Sequence, residues 1–221
     1  MKPLELSLIL ESFRVLENSI IFPGSDMPLP RSLLLTSADP QEGKSTIVSI
    51  LALTLAHAGK RVLLIDTDLR RPMLHEIFKV SNETGLSDYL SGDSGDVQLK
   101  TIMKDSLSLL PSGSKTLDPS RLVNSEETKH LFNKLLEKTK DQFDFVLFDS
   151  PPVLVALDTA LLASLVDSVI FVLNSGKVTK NKARKAKTVL EKANASVIGT
   201  ILNNYNEEFS RTAYHPYGAV Y

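Results

Sequence analysis

Cysteine is absent from this 221-residue chain. No disulfide framework and no thiolate metal site can therefore form, and the composition suits a reducing compartment. Histidine is scarce. His57, His75, His130 and His215 are scattered, which argues against a metal cluster. The net charge of −1 supplies no overall field to steer the chain to nucleic acid, and no nucleic-acid partner is expected. No apolar run approaches the ~20 residues that a membrane span needs. The N-terminus has no signal-peptide pattern, and there are no internal repeats of the length that builds solenoids. What remains is an ordinary globular balance, 43% hydrophobic and 23% charged. The length suits one large α/β domain, with two small domains as the alternative.

The chain is organised around Ser32–Thr46, SLLLTSADPQEGKST. Three leucines run into a polar loop that ends in Gly43-Lys44-Ser45-Thr46, which predicts a buried strand, a turn and the first turn of a helix. Backbone N–H groups at a helix N-terminus are unpaired and partially positive, so polyphosphate binds there. Gly43 allows close backbone approach. Lys44 is placed to reach the β- and γ-phosphates, and the Ser45 hydroxyl to ligate Mg²⁺. The usual pattern opens with Gly, where this chain has Ala38. Taken alone, a Gly-Lys-Ser at a turn also arises by chance, so the downstream residues decide.

Upstream, Leu4–Phe22 reads as a helix with Leu6, Ile9, Phe13, Leu16 and Ile20 in one apolar stripe. Glu11, Arg14 and Glu17 lie elsewhere on its surface, as a solvated face or an oligomer contact. Pro23-Gly24, Pro28 and Pro30 break it into a linker. Downstream, Lys44–Ala58 is helical, with Gly59 as a C-cap. Arg61–Ile65 is a second buried strand that delivers Asp66-Thr67-Asp68 at its C-terminal end, where open parallel sheets bind ligands. Two carboxylates there suit Mg²⁺ or proton handling. The plainer alternative is a capping Asp with a salt bridge to Arg70 or Arg71.

Pro72–Lys79 can start a helix, Gly85–Leu90 is a short amphipathic piece, and Ser91–Gly95 is a loop. Leu107–Leu110 is a strand candidate, and Ser125–Thr139 a helix with Ser125 as N-cap. Phe143–Phe148 is a third buried strand, ending in Asp149-Ser150-Pro151-Pro152, the form a second acidic Mg²⁺ contact takes. Leu157–Leu165 is a helix, Ser168–Leu173 a strand, Lys180–Ala193 a helix and Val197–Leu202 the last strand, which ends in Asn203-Asn204. Lys177, Lys180, Lys182, Arg184, Lys185 and Lys187 crowd the start of that last helix. They read as a solvated face, or as a contact for anionic lipid or an acidic partner. The tail carries Tyr205, Tyr214, Tyr217 and Tyr221, four of the five tyrosines, without an apolar period. It reads as a substrate segment or as an aromatic tail docked on the body.

These pieces, in this order and over nearly the whole chain, resemble the bacterial tyrosine kinases (BY-kinases) of capsule and exopolysaccharide production. ADPQEGKS is similar to the family's Walker A, VLLIDTDLRRP to its Walker A′, FVLFDSPP to its Walker B. GLSDYLSG, LLPSG and IGTILN also match, and the tyrosine tail closes the set. The resemblance implies an α/β fold of the P-loop NTPase type, with a mostly parallel central sheet flanked by helices on both faces. It implies three segments: an N-terminal helix and linker over 1–30, a kinase domain over 31–204 and a tyrosine-rich tail over 205–221. Lys44, Asp66 and Asp68 are then catalytic. Asp39, Pro40, Gln41, Glu42, Gly43, Lys44, Ser45, Thr46 and Asn203 bind nucleotide, Asn203 at the adenine edge or as a turn-forming residue. Ser45, Asp68 and Asp149 hold Mg²⁺, and ATP is the co-substrate. Tyr214, Tyr217 and Tyr221 are the autophosphorylation sites, modified by a neighbouring subunit.

Family kinases work with a membrane-spanning polysaccharide co-polymerase-type activator, fused or separate. The resemblance therefore places the chain in the cytoplasm at the inner face of the plasma membrane, as a lone subunit or a fragment, with self-association and a phosphotyrosine phosphatase as further partners. Two departures stand out. The family's E-x-x-R-x-x-R in the first helix reads Glu11-x-x-Arg14-x-x-Glu17 here, so an opposite-charge contact that needs arginine at the third place becomes repulsive. The tyrosine cluster is also sparser. Two other classes stay open: a partition-like ATPase switch, against which Asp39 stands at that class's signature-lysine position, and a nucleotide-binding regulatory subunit with weak catalysis.

Overall fold

The computed structural model describes residues 3–21, 29–91, 97–114, 126–156 and 158–205. Seven strands form one sheet: β1 (Ser32–Ser37), β2 (Val62–Asp66), β3 (Lys100–Met103), β4 (Leu107–Leu110), β5 (Phe145–Asp149), β6 (Ser168–Asn174) and β7 (Val197–Asn203). The helices are α1 (Pro3–Ile21), α2 (Lys44–His57), α3 (Leu74–Phe78), α4 (Leu86–Leu90), α5 (Glu126–Thr139), α6 (Asp158–Ala163) and α7 (Lys180–Lys192). The strand order is β3-β4-β2-β5-β1-β6-β7. Every pairing is parallel except β3 with β4. This is the mostly parallel α/β sheet expected from the sequence.

The central strands read as unbroken apolar runs because helices cover both sheet faces. Period-two alternation divides their side chains between two cores. Leu33, Leu35, Leu64, Phe145 and Leu147 pack with Leu51 and Leu55 of α2 and Ile20 of α1. Leu34, Leu63, Ile65, Val146 and Phe148 pack on the other face with Leu86, Phe132, Leu162 and Leu190, from α4, α5, α6 and α7. Two aspartates pin the strand starts. Asp144 accepts the Arg61 amide at 2.8 Å and pairs with its guanidinium. Asp167 accepts the Arg31 and Ser32 amides at 2.9 and 2.8 Å.

Sequence expectations shift at several boundaries. The third strand begins at Phe145 rather than Phe143, and the Pro72 segment becomes helical only from Leu74. Gly59, with φ +79°, follows Ala58, whose amide bonds back to the helix. The antiparallel edge strand β3 carries no sequence signal: KTIM is short, half-buried and irregular in register between Thr101 and Met103. Thr179 caps α7, accepting the Lys182 amide at 3.3 Å. The expected Ser125 cap, the linker prolines 23 and 28, and most of the 91–95 loop lie outside the described residues.

Candidate nucleotide and phosphoryl-transfer site

The loop between β1 and α2 is closed by its own glutamate. The Glu42 side chain is fully buried, and its Oε2 accepts the Ala38 and Asp39 amides at 2.9 and 3.1 Å. Gly43, at φ +93°, sits in the left-handed region as the N-cap of α2. No side chain caps this helix and no acid occupies its first turn. Its N–H groups are therefore left for an anion, as a phosphate cradle requires. The approach at Gly43 is close enough that a Cβ there would lie 2.2 Å from Asn203 Nδ2.

Asn203 closes the loop from the last strand. Its Nδ2 donates to the Glu42 carbonyl at 2.9 Å, and its Oδ1 accepts the Asn204 amide at 3.0 Å. The structure thus uses the side chain as a loop clamp and a turn former. Lys177 Nζ meets the Pro40 and Gln41 carbonyls at 3.3 and 3.5 Å, and Lys182 Nζ pairs with Asp39 Oδ2 at 2.5 Å. Both lysines remain on the solvated face expected from the sequence, and both also reach back onto the loop.

Lys44 is buried at the start of α2. Burial lowers its pKa, against the charges of Asp149, Asp68 and Glu42. Asp66, Asp68 and Asp149 converge there from the ends of β2 and β5. Asp66 and Asp149 are register partners on β2 and β5. Burial raises the Asp149 pKa to about 7, with the Ser45 hydrogen bond and the Lys44 charge opposing the rise. Asp149 Oδ1 is buried without a hydrogen-bond partner. An orphaned carboxylate oxygen beside the Ser45 hydroxyl and a phosphate cradle fits Mg²⁺, which takes few protein ligands and shares the rest with phosphate and water. Among the described residues no cluster of three or more acids or histidines forms a closed metal cage.

Asp66 is fully buried. Its Oδ2 accepts the Met73 and Leu74 amides at 3.1 and 3.0 Å, and its Oδ1 the Asp68 amide at 3.2 Å. The capping alternative therefore holds for this residue, alongside its place in the acidic group. Burial and the Asp149 charge push its pKa well up, against the Leu74 and Met73 amides. The alternative salt bridge is corrected. Asp68 accepts the Arg71 backbone amide at 2.9 Å, while the Arg70 guanidinium pairs with Asp158 at 2.7 Å. Asp68 is half-buried; burial raises its pKa, with Arg71's amide and the Lys44 charge opposing.

The structure thus brings together Asp39 to Thr46, Asp66, Asp68, Asp149 and Asn203. Sequence reasoning missed the Glu42 carboxylate, Thr67, Asp158, Lys177 and Lys182 as site-supporting side chains. Only the basic crowding near Lys180 pointed toward any of them. Tyr214, Tyr217 and Tyr221 lie outside the described residues. Tyr205, two residues beyond Asn203, is 51% exposed. On α1, Arg14 and Glu17 line a groove against Leu53, Thr54 and His57 of α2.

An AAA domain family model matches residues 41–198. Tyrosine-protein kinase CpsD of Streptococcus agalactiae is 36% identical over 211 residues, 94% of this chain and 88% of that protein. Tyrosine-protein kinase YwqD of Bacillus subtilis is 36% identical over 198 residues, 89% of this chain and 81% of that protein. The kinase domain of Escherichia coli tyrosine kinase ETK superposes with a TM-score of 0.80 at 31% identity, over 96% of this chain and 80% of that one. On this family match, these identities and this shared fold, the chain belongs to the AAA domain family and, within it, to the bacterial tyrosine-protein kinases.

Proposed function

We propose that the chain is an ATP-dependent tyrosine autokinase that phosphorylates Tyr214, Tyr217 and Tyr221 of a neighbouring copy and so regulates capsular or exopolysaccharide synthesis or export. The observation that carries this reading is the convergence of Lys44, Ser45, Asp68 and Asp149 on one uncapped helix start. Asp39 to Thr46 form the nucleotide-binding loop. Lys44 and the N–H groups of 42–46 offset charge on the β- and γ-phosphates. Ser45, Asp68 and Asp149 are the groups that hold Mg²⁺, which supplies charge neutralisation on the phosphate oxygens when bound.

Asp66 orients the tyrosine hydroxyl and receives its proton. A free carboxylate near 4 is a weak base for a phenol near 10, and burial narrows that gap by raising the Asp66 pKa. Its Oδ2 already accepts the Met73 and Leu74 amides and its Oδ1 the Asp68 amide, so a tyrosine hydroxyl must compete with these contacts for it. In a loose transition state the proton leaves late, and positioning carries most of the rate.

Asn203 to Tyr221 is 18 residues, at most ~60 Å extended at ~3.3 Å each, which reaches an adjacent subunit. No described helix is long and apolar enough to cross a membrane. A separate or fused membrane-spanning activator holds the chain at the inner membrane face, as in the family that the sequence resembles. Copies associate through α1, and a phosphotyrosine phosphatase reverses the modification. Mixing Lys44→Met chains with chains truncated after Tyr205 tests transfer between copies. Phosphate on the Lys44→Met tail supports it. An unlabelled mutant tail beside a parent that labels itself contradicts it.

A further inference from the structure

We infer that the basic residues at and just before the start of α7 belong to the nucleotide site: Lys182, paired with Asp39, and Lys177, on the Pro40 and Gln41 carbonyls, set the affinity of the phosphate loop for the triphosphate. The inference deepens the nucleotide reading above and rests on it.

Helix physics does not call for lysine at the start of α7. Lys180 and Lys182 lie in the first turn of α7, which holds no acid. Cations there oppose the helix dipole. Asp39, across the gap, supplies the missing counter-charge at 2.5 Å. The pair is not a folding device either. Lys182 is 52% exposed and Asp39 24%, and exposed pairs add little to stability.

The consequence falls on the loop. Asp39, whose amide is held by Glu42, carries a partly exposed carboxylate on the loop that is built for anions. Unpaired, it repels an incoming polyphosphate; paired with Lys182, it does not. Lys177 acts on the peptide planes. In a trans peptide the C=O and the next N–H point in opposite directions. Lys177 draws the Pro40 and Gln41 carbonyls to the outer side, so the Gln41 and Glu42 amides face the other way. Asn203 does the same to the Glu42 carbonyl, which turns the Gly43 amide. Three successive planes are thus set by side chains that come from more than 130 positions downstream.

Calorimetric titration of the full chain with Mg²⁺-ATP tests this, with KM, kcat and melting temperature read in parallel. Lys182→Gln is expected to weaken binding about fivefold and to raise KM with kcat nearly unchanged, the loss shrinking at high salt. Its melting temperature stays at the parent value. Adding Asp39→Asn to Lys182→Gln brings binding back to within about twofold, because the repelling charge is gone. Lys177→Gln weakens binding comparably, and Asp39→Asn does not rescue it. Lys187→Gln, which removes a partner of Glu191 farther along the helix, leaves binding unchanged. Lys182→Gln and Lys177→Gln binding within twofold of the parent overturn the inference, as does a Lys182→Gln defect that persists with Asp39→Asn. A parent chain that binds no Mg²⁺-ATP overturns the nucleotide reading itself.

Discussion

Asp66 and Asp149 stand side by side at the ends of adjacent parallel strands, and Thr67 ties the two ends together. The Thr67 amide and hydroxyl donate to the Asp149 carbonyl at 2.8 and 2.6 Å. Two fully enclosed carboxylates in register form a poor arrangement for a stable fold and a good one for a site that receives a cation.

The pH dependence follows from that pair. Burial raises both pKa values, that of Asp149 to about 7. The native chain therefore holds these protons more tightly than the unfolded chain. Stability of the nucleotide-free protein is greatest at low pH in this window and falls as pH rises from the ordinary carboxylate range through about 7. Asp149→Asn should raise its melting temperature at pH 8, by about 1–3 kcal/mol of stability, with little change near pH 4.5. The same variant should lose the melting shift that Mg²⁺-ATP gives the parent. Thermal melts at the two pH values check both; no gain at pH 8 contradicts the buried-charge reading.

Lys44→Met and Asp66→Ala separate charge stabilisation from proton handling. Lys44 is the buried cation facing Asp149 and Asp68. Its loss should cost roughly 10³-fold in tail phosphorylation, and Asp66→Ala roughly tenfold to 10²-fold. Asp66→Ala also strands the Met73 and Leu74 amides, so its melting temperature falls, whereas Asp66→Asn keeps an acceptor for them. Phosphorylation rates and melts on the three variants decide it. Equal rates for Lys44→Met and Asp66→Ala count against the assigned roles.

Gly43 and Gly59 make a matched pair. Both have positive φ, +93° and +79°. A Cβ on Gly43 meets Asn203, whereas one on Gly59 meets nothing within 4 Å. Each alanine variant should lose about 1–2 kcal/mol from left-handed strain. Only Gly43→Ala should also weaken Mg²⁺-ATP binding, by more than tenfold, because the loop must leave Asn203. Equal nucleotide affinity in the two variants removes the case for close approach at Gly43.

The parts of the fold that could be read in the sequence are those buried on both faces. LLLTS, VLLID and FVLFD each announce a strand, and the acids that end the last two announce the site, because a doubly covered strand must be apolar until it reaches the ligand edge. Asp68 and Asp149 are legible for that reason, and Lys44 and Ser45 from the Gly-Lys-Ser turn that follows the first strand. The β3 strand was not, since KTIM has neither an apolar run nor a clean alternation. The loop pattern marks Glu42 as a nucleotide-binding residue, and nothing local shows that its carboxylate folds back onto Ala38 and Asp39. Lys177 and Lys182 look like solvent-facing charge in any window of their own; the partners they reach lie on the loop after β1, which neighbours β6 in the sheet but is more than 130 positions away in sequence. Asn203 was found at the right edge of the sheet, but its hold on Glu42 depends on how closely β7 approaches Gly43.

The most direct test of a triphosphate site that aims phosphoryl groups at the tail is the intact mass of the full chain after incubation with Mg²⁺-ATP. Successive additions of one phosphate, up to three, that map to Tyr214, Tyr217 and Tyr221 and vanish in Lys44→Met are the expected result. ATP hydrolysed or bound with the mass unchanged would contradict it.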